Sequence, residues 1–281
     1  MKSLLPLFIA LHFFPGALSI FATPKAIDDI GMRARFQKGL EELVSKSEGT
    51  SLEQLNKQLD RRETKVSLPE RKRGKFSPHK IYERCKSSVL MIGRIYKCDK
   101  CTKWHVGSAS AFALTSDGVI ATNYHVVENK DGATLGAMDL SGKTYAVSEV
   151  LAASKADDIA ILRLKGATLT PLRLANKVAP VGTPINVISH PDGRYFTMTK
   201  GDVSRYYLFR GKEGSAPRMA ITADYAKGSS GGPVLNGRGE VVGMVSSTNS
   251  IYYTKERGQN QNLQMVIKSC VPVEAIRKLL D

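Results

Sequence analysis

The sequence predicts a mainly β fold, a sandwich or barrel, with helices confined to its two ends. Two observations carry this. From residue 87 onward, short β-rich runs alternate with turn clusters around Ser116, Ser141, Pro191 and Asn236; the runs include SVLMIGRIY, SASAFALT, GVIATNYHVV, KTYAVSEVLAA, IAILRL, PINVIS, RMAITA and EVVGMVSS. Before residue 60, and again in PVEAIRKLLD at the very end, apolar residues recur at helical spacing instead.

The elements follow in order. Residues 1–22, MKSLLPLFIALHFFPGALSIFA, have an early lysine, an apolar stretch and small residues at Ala17, Ser19 and Ala22, the anatomy of a secretory signal peptide cut after Ser19 or Ala22. An N-terminal membrane anchor is the competing reading, but Pro6, His12, Pro15 and Gly16 interrupt the run and leave it short for a span. Residues 23–60 form a helical region. Ile27, Ile30, Ala34, Leu40, Leu43 and Val44 share a helical period, and Ser51 caps a second piece in which Leu52, Leu55 and Leu59 share a face. This region reads either as a pro-segment or as a brace for the main domain. Residues 61–86 read as a basic linker, punctuated by Pro69, Gly74 and Pro78, and residues 87–281 as the β domain.

The chain carries 41 Lys and Arg against 26 Asp and Glu, a formal charge of +15, and much of the excess sits in 61–86. Such a run is a solvated linker or a contact for an anionic surface or polymer. It lacks the interleaved aromatics of a single-strand binding platform and any known nucleic-acid motif, so a nucleic-acid partner is not expected. No segment after the leader approaches the roughly 20 apolar residues of a membrane helix. The mature protein is expected to be secreted or periplasmic.

The stretch GSSGGPVLNGRGEVVGMVSS (228–247) sets Ser230 between glycines, either as a nucleophile or as the small residue of a tight turn. Activating a serine hydroxyl needs a base within hydrogen-bond reach and a third group that holds the base in one tautomer. Of the five histidines, His12 lies in the leader and His79 in the linker, His105 follows a cysteine pair, and His190 in HPDG reads as a solvated loop residue. His125, in ATNYHVV, follows an apolar strand and precedes an apolar pair. Asp158 stands at the mouth of the apolar run IAILRL, where an ionised carboxylate is costly without a partner. The order His125, Asp158, Ser230 excludes the G-x-S-x-G elbow, in which serine comes first and a helix follows it.

Together SAFALTSDGVIATNYHVV, DDIAILRL, VISHPDGRYFTMTKGDVS and TADYAKGSSGGPVLNGRGEVVGMVSS resemble the trypsin-like serine proteases, most of all the bacterial HtrA-like branch, over about residues 87–280. The resemblance implies two six-stranded antiparallel β-barrels, with His125 and Asp158 from the first and Ser230 from the second meeting in the cleft between them. It implies an exported serine endopeptidase acting on protein or peptide substrates without a cofactor. His125 serves as general base, Asp158 as its orienting partner, and the N–H groups of Gly228 and Ser230 as the oxyanion hole. It also places Asp224 where trypsin-like members select Lys or Arg, with Ser246 and Thr248 in the pocket wall. Ser229 stands where digestive members carry an aspartate that pairs with a newly cut N-terminus, so activity is expected to need no inserted ammonium. No PDZ-like module is expected after the second barrel. The competing readings are a non-catalytic peptide-binding module on the same fold and an adhesive protein held by its basic linker.

Four cysteines remain. In an exported chain an even count points to disulfides, here Cys98–Cys101 at a hairpin tip and Cys85–Cys270 joining the domain's ends. The alternative is a zinc site at Cys98, Cys101 and His105 of YKCDKCTKWH, with Cys85 as fourth ligand.

Overall fold

The structure, a computed structural model, describes residues 26–70, 74–256 and 258–280; the leader expected at 1–22 lies outside them. Helix α1 (Asp29–Ser45) begins where the Asp28 side chain accepts the Gly31 N–H at 2.9 Å. Helix α2 (Leu52–Lys57) begins at a capping box in which Ser51 and Gln54 satisfy each other's backbone N–H groups. Within the basic stretch, Ser77 caps helix α3 (Pro78–Cys85), and Pro78 occupies its first turn, where no N–H is required.

The first barrel is built from β1 (Val89–Lys97), β2 (Trp104–Ala113), β3 (Val119–Thr122), β4 (Thr134–Met138), β5 (Thr144–Ser154) and β6 (Ile159–Leu164), closed in the order β1-β2-β3-β6-β5-β4. A single helical turn, α4 (Tyr124–Val127), follows β3. The second comprises β7 (Arg173–Leu174), β8 (Pro184–Ser189), β9 (Thr197–Gly211), β10 (Gly214–Ile221), β11 (Pro233–Leu235), β12 (Glu240–Glu256) and β13 (Gln259–Pro272), and helix α5 (Val273–Arg277) follows it. Because β11 pairs with both β8 and β12, six of these strands close as a ring, and β7 adds to β12 in parallel. The paired-barrel expectation holds, with one short extra strand.

Side chains on a strand alternate between faces, and here both faces of β1 are buried. Leu90 and Ile92 join a cluster with Leu52 and Leu55 of α2; Val89, Met91 and Ile95 join the cluster that holds Phe36 and Leu40 of α1 and most of the second barrel's core. The N-terminal helices therefore cover apolar strand faces that would otherwise meet water. Close approach is set by Gly136 on β4, where a Cβ would stand 2.7 Å from the Leu40 side chain. Three ties reinforce the cover. Asp29 Oδ1 accepts the Tyr195 N–H at 2.9 Å, Arg61 pairs with Glu149 at 2.6 Å, and Thr64 N donates to Leu279 O at 2.9 Å. The stretch 61–86 is likewise held to the domain by Phe76 N donating to Gly237 O at 2.8 Å and by buried Ile81.

The disulfide expectation is corrected. All four cysteines are free thiols. Cys85 on α3 is buried with its Sγ 4.0 Å from the Gly239 carbonyl, and Cys270 is buried on β13. Burial pushes the Cys85 thiol up to about 11 and the Cys270 thiol to about 12, so both stay protonated and behave as small apolar residues.

Leu40 has no exposed surface and meets Gly136 at close range. Leu40→Ala should cost about 2–5 kcal/mol, read as a lower urea midpoint at unchanged m-value. A midpoint equal to wild type would show that α1 does not stabilise the barrel.

Candidate active site

The apolar ladder β3–β6 pairs Thr122 with Ala160, which brings the end of β3 beside the start of β6. His125, on α4, and Asp158, in the turn before β6, are thereby neighbours. Asp158 adopts φ 61°, the left-handed region that a non-glycine residue occupies only when its surroundings hold it there. Asn123 Nδ2 donates to the Asp158 carbonyl at 2.9 Å and secures that turn. The Asp158 carboxylate then accepts three bonds: the His125 backbone N–H at 3.2 Å, His125 Nδ1 at 2.9 Å, and the Ser246 hydroxyl at 2.6 Å. With Nδ1–H facing a carboxylate, Nε2 carries the free lone pair. Burial alone disfavours the charged imidazole, but the hydrogen bond and charge of Asp158 outweigh it, and the His125 pKa lies above its ordinary value.

Ser230 sits in the turn 228–232. Its carbonyl accepts from Ser110 N at 2.8 Å, and its hydroxyl donates to the Ser246 carbonyl at 3.2 Å. Ser246 thus links the two halves, its hydroxyl on Asp158 and its carbonyl on Ser230. The turn depends on its glycines. Gly228 has φ 89° and Gly231 φ 86°, and a Cβ at Gly231 would stand 2.0 Å from the Ser110 carbonyl oxygen. The N–H groups of Gly228 and Ser230 donate to no described residue, so they are available to a ligand. Ser229 is buried and its hydroxyl accepts from Ser189 at 3.0 Å.

Two cavities meet at His125. One, of about 250 Å³, is lined by Arg94, Gly107, Ser108, His125, Gly228 and Ser230. The other, of about 600 Å³, includes Tyr124, His125, Tyr207, Phe209, Arg218 and Ser246 among its walls. Of the expected pocket residues, Ser246 lines the larger cavity. Asp224 is 85% exposed and paired with Lys268 Nζ at 2.7 Å, and Thr248 faces solvent on the register partner of Lys268.

His190 corrects the solvated-loop expectation. It is 1% exposed, its Nδ1 accepts from Phe196 N at 3.0 Å, and the Phe196 and Tyr195 rings meet it edge-on. Its backbone carbonyl is the atom that a Cβ at Gly228 would strike, at 2.5 Å. The apolar run PINVIS just before it was the available signal, outweighed by the turn residues after it. Burial pushes its pKa down to about 4.

Paired barrels with an imidazole–carboxylate pair and a glycine-bounded serine at their junction are the arrangement that the resemblance to trypsin-like serine proteases leads one to expect. Residues 109–244 match the family model of the trypsin-like peptidase domain. Similar curated proteins include the anti-sigma-I factor RsgI9 of Acetivibrio thermocellus, 34% identical over 50% of this chain and 19% of that protein. A probable periplasmic serine endoprotease, DegP-like, of Hahella chejuensis is 32% identical over 62% of this chain and 36% of its own length. The chain therefore spans well under half of either relative. Among solved structures, the active form of the Rv3671c protease from M. tuberculosis aligns with a TM-score of 0.57 at 19% identity, over 77% of this chain and 92% of that one, a likeness of fold.

Because folded His190 resists protonation until about pH 4 while an unfolded histidine takes its proton near 6.5, stability is lost as pH falls through that window, by about 3 kcal/mol in all. Urea unfolding of wild type and His190→Gln at pH 7 and pH 4 should show a correspondingly smaller acid loss in the variant. Equal losses would mean that the ring is not held neutral.

Proposed function

We propose that this chain is an exported serine endopeptidase working through His125, Asp158 and Ser230. The observation that carries the reading is the Asp158–His125 hydrogen bond at 2.9 Å beside a cavity that Ser230 also lines. On substrate entry the Ser230 hydroxyl leaves the Ser246 carbonyl by rotation about Cα–Cβ and turns to His125 Nε2; such bonds commonly tighten only in the substrate complex. His125 takes the proton as Oγ attacks the scissile carbonyl and later gives it to the leaving amine. Asp158 fixes the tautomer and stabilises the imidazolium. The free N–H groups of Gly228 and Ser230 receive the oxyanion, each such donor lowering the barrier by about 3–4 kcal/mol. Ser229, bonded to Ser189, leaves no carboxylate beside Ser230 for a cut N-terminus to pair with, in line with activity that needs no inserted ammonium.

The substrate peptide would run through both cavities and pass His125 at their junction. Export rests on the leader-like residues 1–22 and on the periplasmic naming of similar proteins; among the described residues no helix is long and apolar enough to cross a membrane. An anionic surface as partner rests on the charge of 61–86 alone, where Arg61 is already paired.

A fluorophosphonate should label wild type at Ser230 and leave Ser230→Ala unlabelled, and casein hydrolysis should fall by at least about 10³-fold in Ser230→Ala, since the residual rate is only what binding and the oxyanion hole supply. An unlabelled wild type that still binds peptides would favour the non-catalytic module.

Asp224 is the carboxylate that a basic substrate side chain would meet, but Lys268 competes for it. In a peptide-library profile, preference for Lys or Arg should therefore be weak in wild type, stronger in Lys268→Ala and absent in Asp224→Ala. Three identical profiles would remove Asp224 from the pocket.

A further inference from the structure

We propose that Cys98, Cys101 and His105 hold a zinc ion at the tip of the β1–β2 hairpin. The strand register runs out to Lys97 opposite Trp104, so Cys98 is the first residue beyond β1 and His105 is the second of β2, opposite Tyr96. Residues 98–103 then curl so that both sulfurs approach a single atom, His105 Nε2, at 3.2 Å from Cys98 and 3.1 Å from Cys101, while the sulfurs lie 3.4 Å apart.

Those three separations discriminate between the chemistries. A disulfide would set the sulfurs at about 2.05 Å and would give the imidazole no part. A tetrahedral ion with Zn–S of about 2.3 Å and Zn–N of about 2.0–2.1 Å has ligand–ligand edges of about 3.5–3.8 Å, and the observed triangle is within a few tenths of an ångström of one face of it. Both thiols addressing one ring nitrogen means that the three donors share one centre. The Tyr96 ring, 5.6 Å away and tilted by 30°, lies against the imidazole and limits its rotation.

Two thiolates and an imidazole are soft and borderline donors, suited to zinc and poorly suited to magnesium or calcium. The pair of thiolates neutralises the dication, which lets the site form on an otherwise basic chain. Cys101 is solvent-exposed, so a fourth position on that side is open to a further donor. Cys85 of α3, the fourth ligand of the zinc alternative, is buried against the Gly239 carbonyl and takes no part. The ion's role is to pin a hairpin whose residues Arg94, Gly107 and Ser108 wall the smaller cavity beside His125; this last step rests on the peptidase reading, while the metal site does not.

The test uses the full chain in a Ser230→Ala background, so that the readout is independent of hydrolysis. After reduction and anaerobic removal of the reductant, zinc titration should load one ion per chain, and cobalt in its place should give thiolate-to-metal charge-transfer absorption in the near ultraviolet. A chelator should lower the melting temperature of the loaded protein. Cys98→Ser combined with Cys101→Ser should abolish both uptake and absorption, His105→Gln should weaken them, and Cys85→Ser should leave them intact. Failure of the reduced, folded chain to take up zinc, or uptake unaffected by the Cys98 and Cys101 substitutions, would overturn the site; loss of uptake in Cys85→Ser would overturn the ligand set.

Discussion

The arrangement at the junction of the two barrels depends on one carboxylate. Asp158 accepts from the His125 backbone, the His125 ring and the Ser246 hydroxyl. An ionised group at the mouth of an apolar strand is tolerable only with partners of this kind. The same three bonds fix the imidazole and reach into the second barrel through β12. The backbone at Asp158 is held in the left-handed region to make this possible. Removing the carboxylate would free the ring and break the Asp158–Ser246 link between the barrels. Such strain is commonly found where a fold is committed to a site.

The glycine-rich turn supplies the other half. Gly228 and Gly231 carry positive φ and leave no room for a Cβ against the His190 and Ser110 carbonyls. Buried His190 therefore acts as a floor under the turn, and Ser110 of β2 as a wall from the first barrel. The serine is positioned by contacts on both sides of the interface, and neither barrel builds the site alone.

How much of this was legible in the sequence follows from the range of each interaction. Strand runs and turn clusters are local, and they marked a sandwich or barrel; that there are two barrels came from the resemblance alone. The cap at Ser51 and the helical spacing of PVEAIRKLLD belong to the same class, although α3 lay hidden in a basic run whose charges masked Ile81 and Cys85. His125 and Asp158 could be paired because each sits beside an apolar strand, where a polar group needs a partner. Ser246 was placed in a pocket wall, and its hydrogen bond to Asp158 was invisible, since 88 residues separate them and a serine in a strand carries no signal of its partner. His190 was misjudged for a related reason: HPDG is a turn locally, and only the fold brings Tyr195 and Phe196 around the ring. The cysteines were paired by count and compartment, which carry no geometry. The register of a single hairpin, which groups Cys98 and Cys101 with His105, was the deciding information.

The tie from Thr64 to Leu279 joins residues 215 positions apart, and α1 and α2 rest on strands synthesised long after them. Contacts of such large sequence separation have to wait for the rest of the polypeptide, and loop-closure entropy makes them slow to form. The two N-terminal helices can dock only after the first barrel, whose last strand ends at Leu164, has been made. Of the three ties that fasten this cover, the one from Thr64 waits longest, because Leu279 is made well after Glu149 and Tyr195.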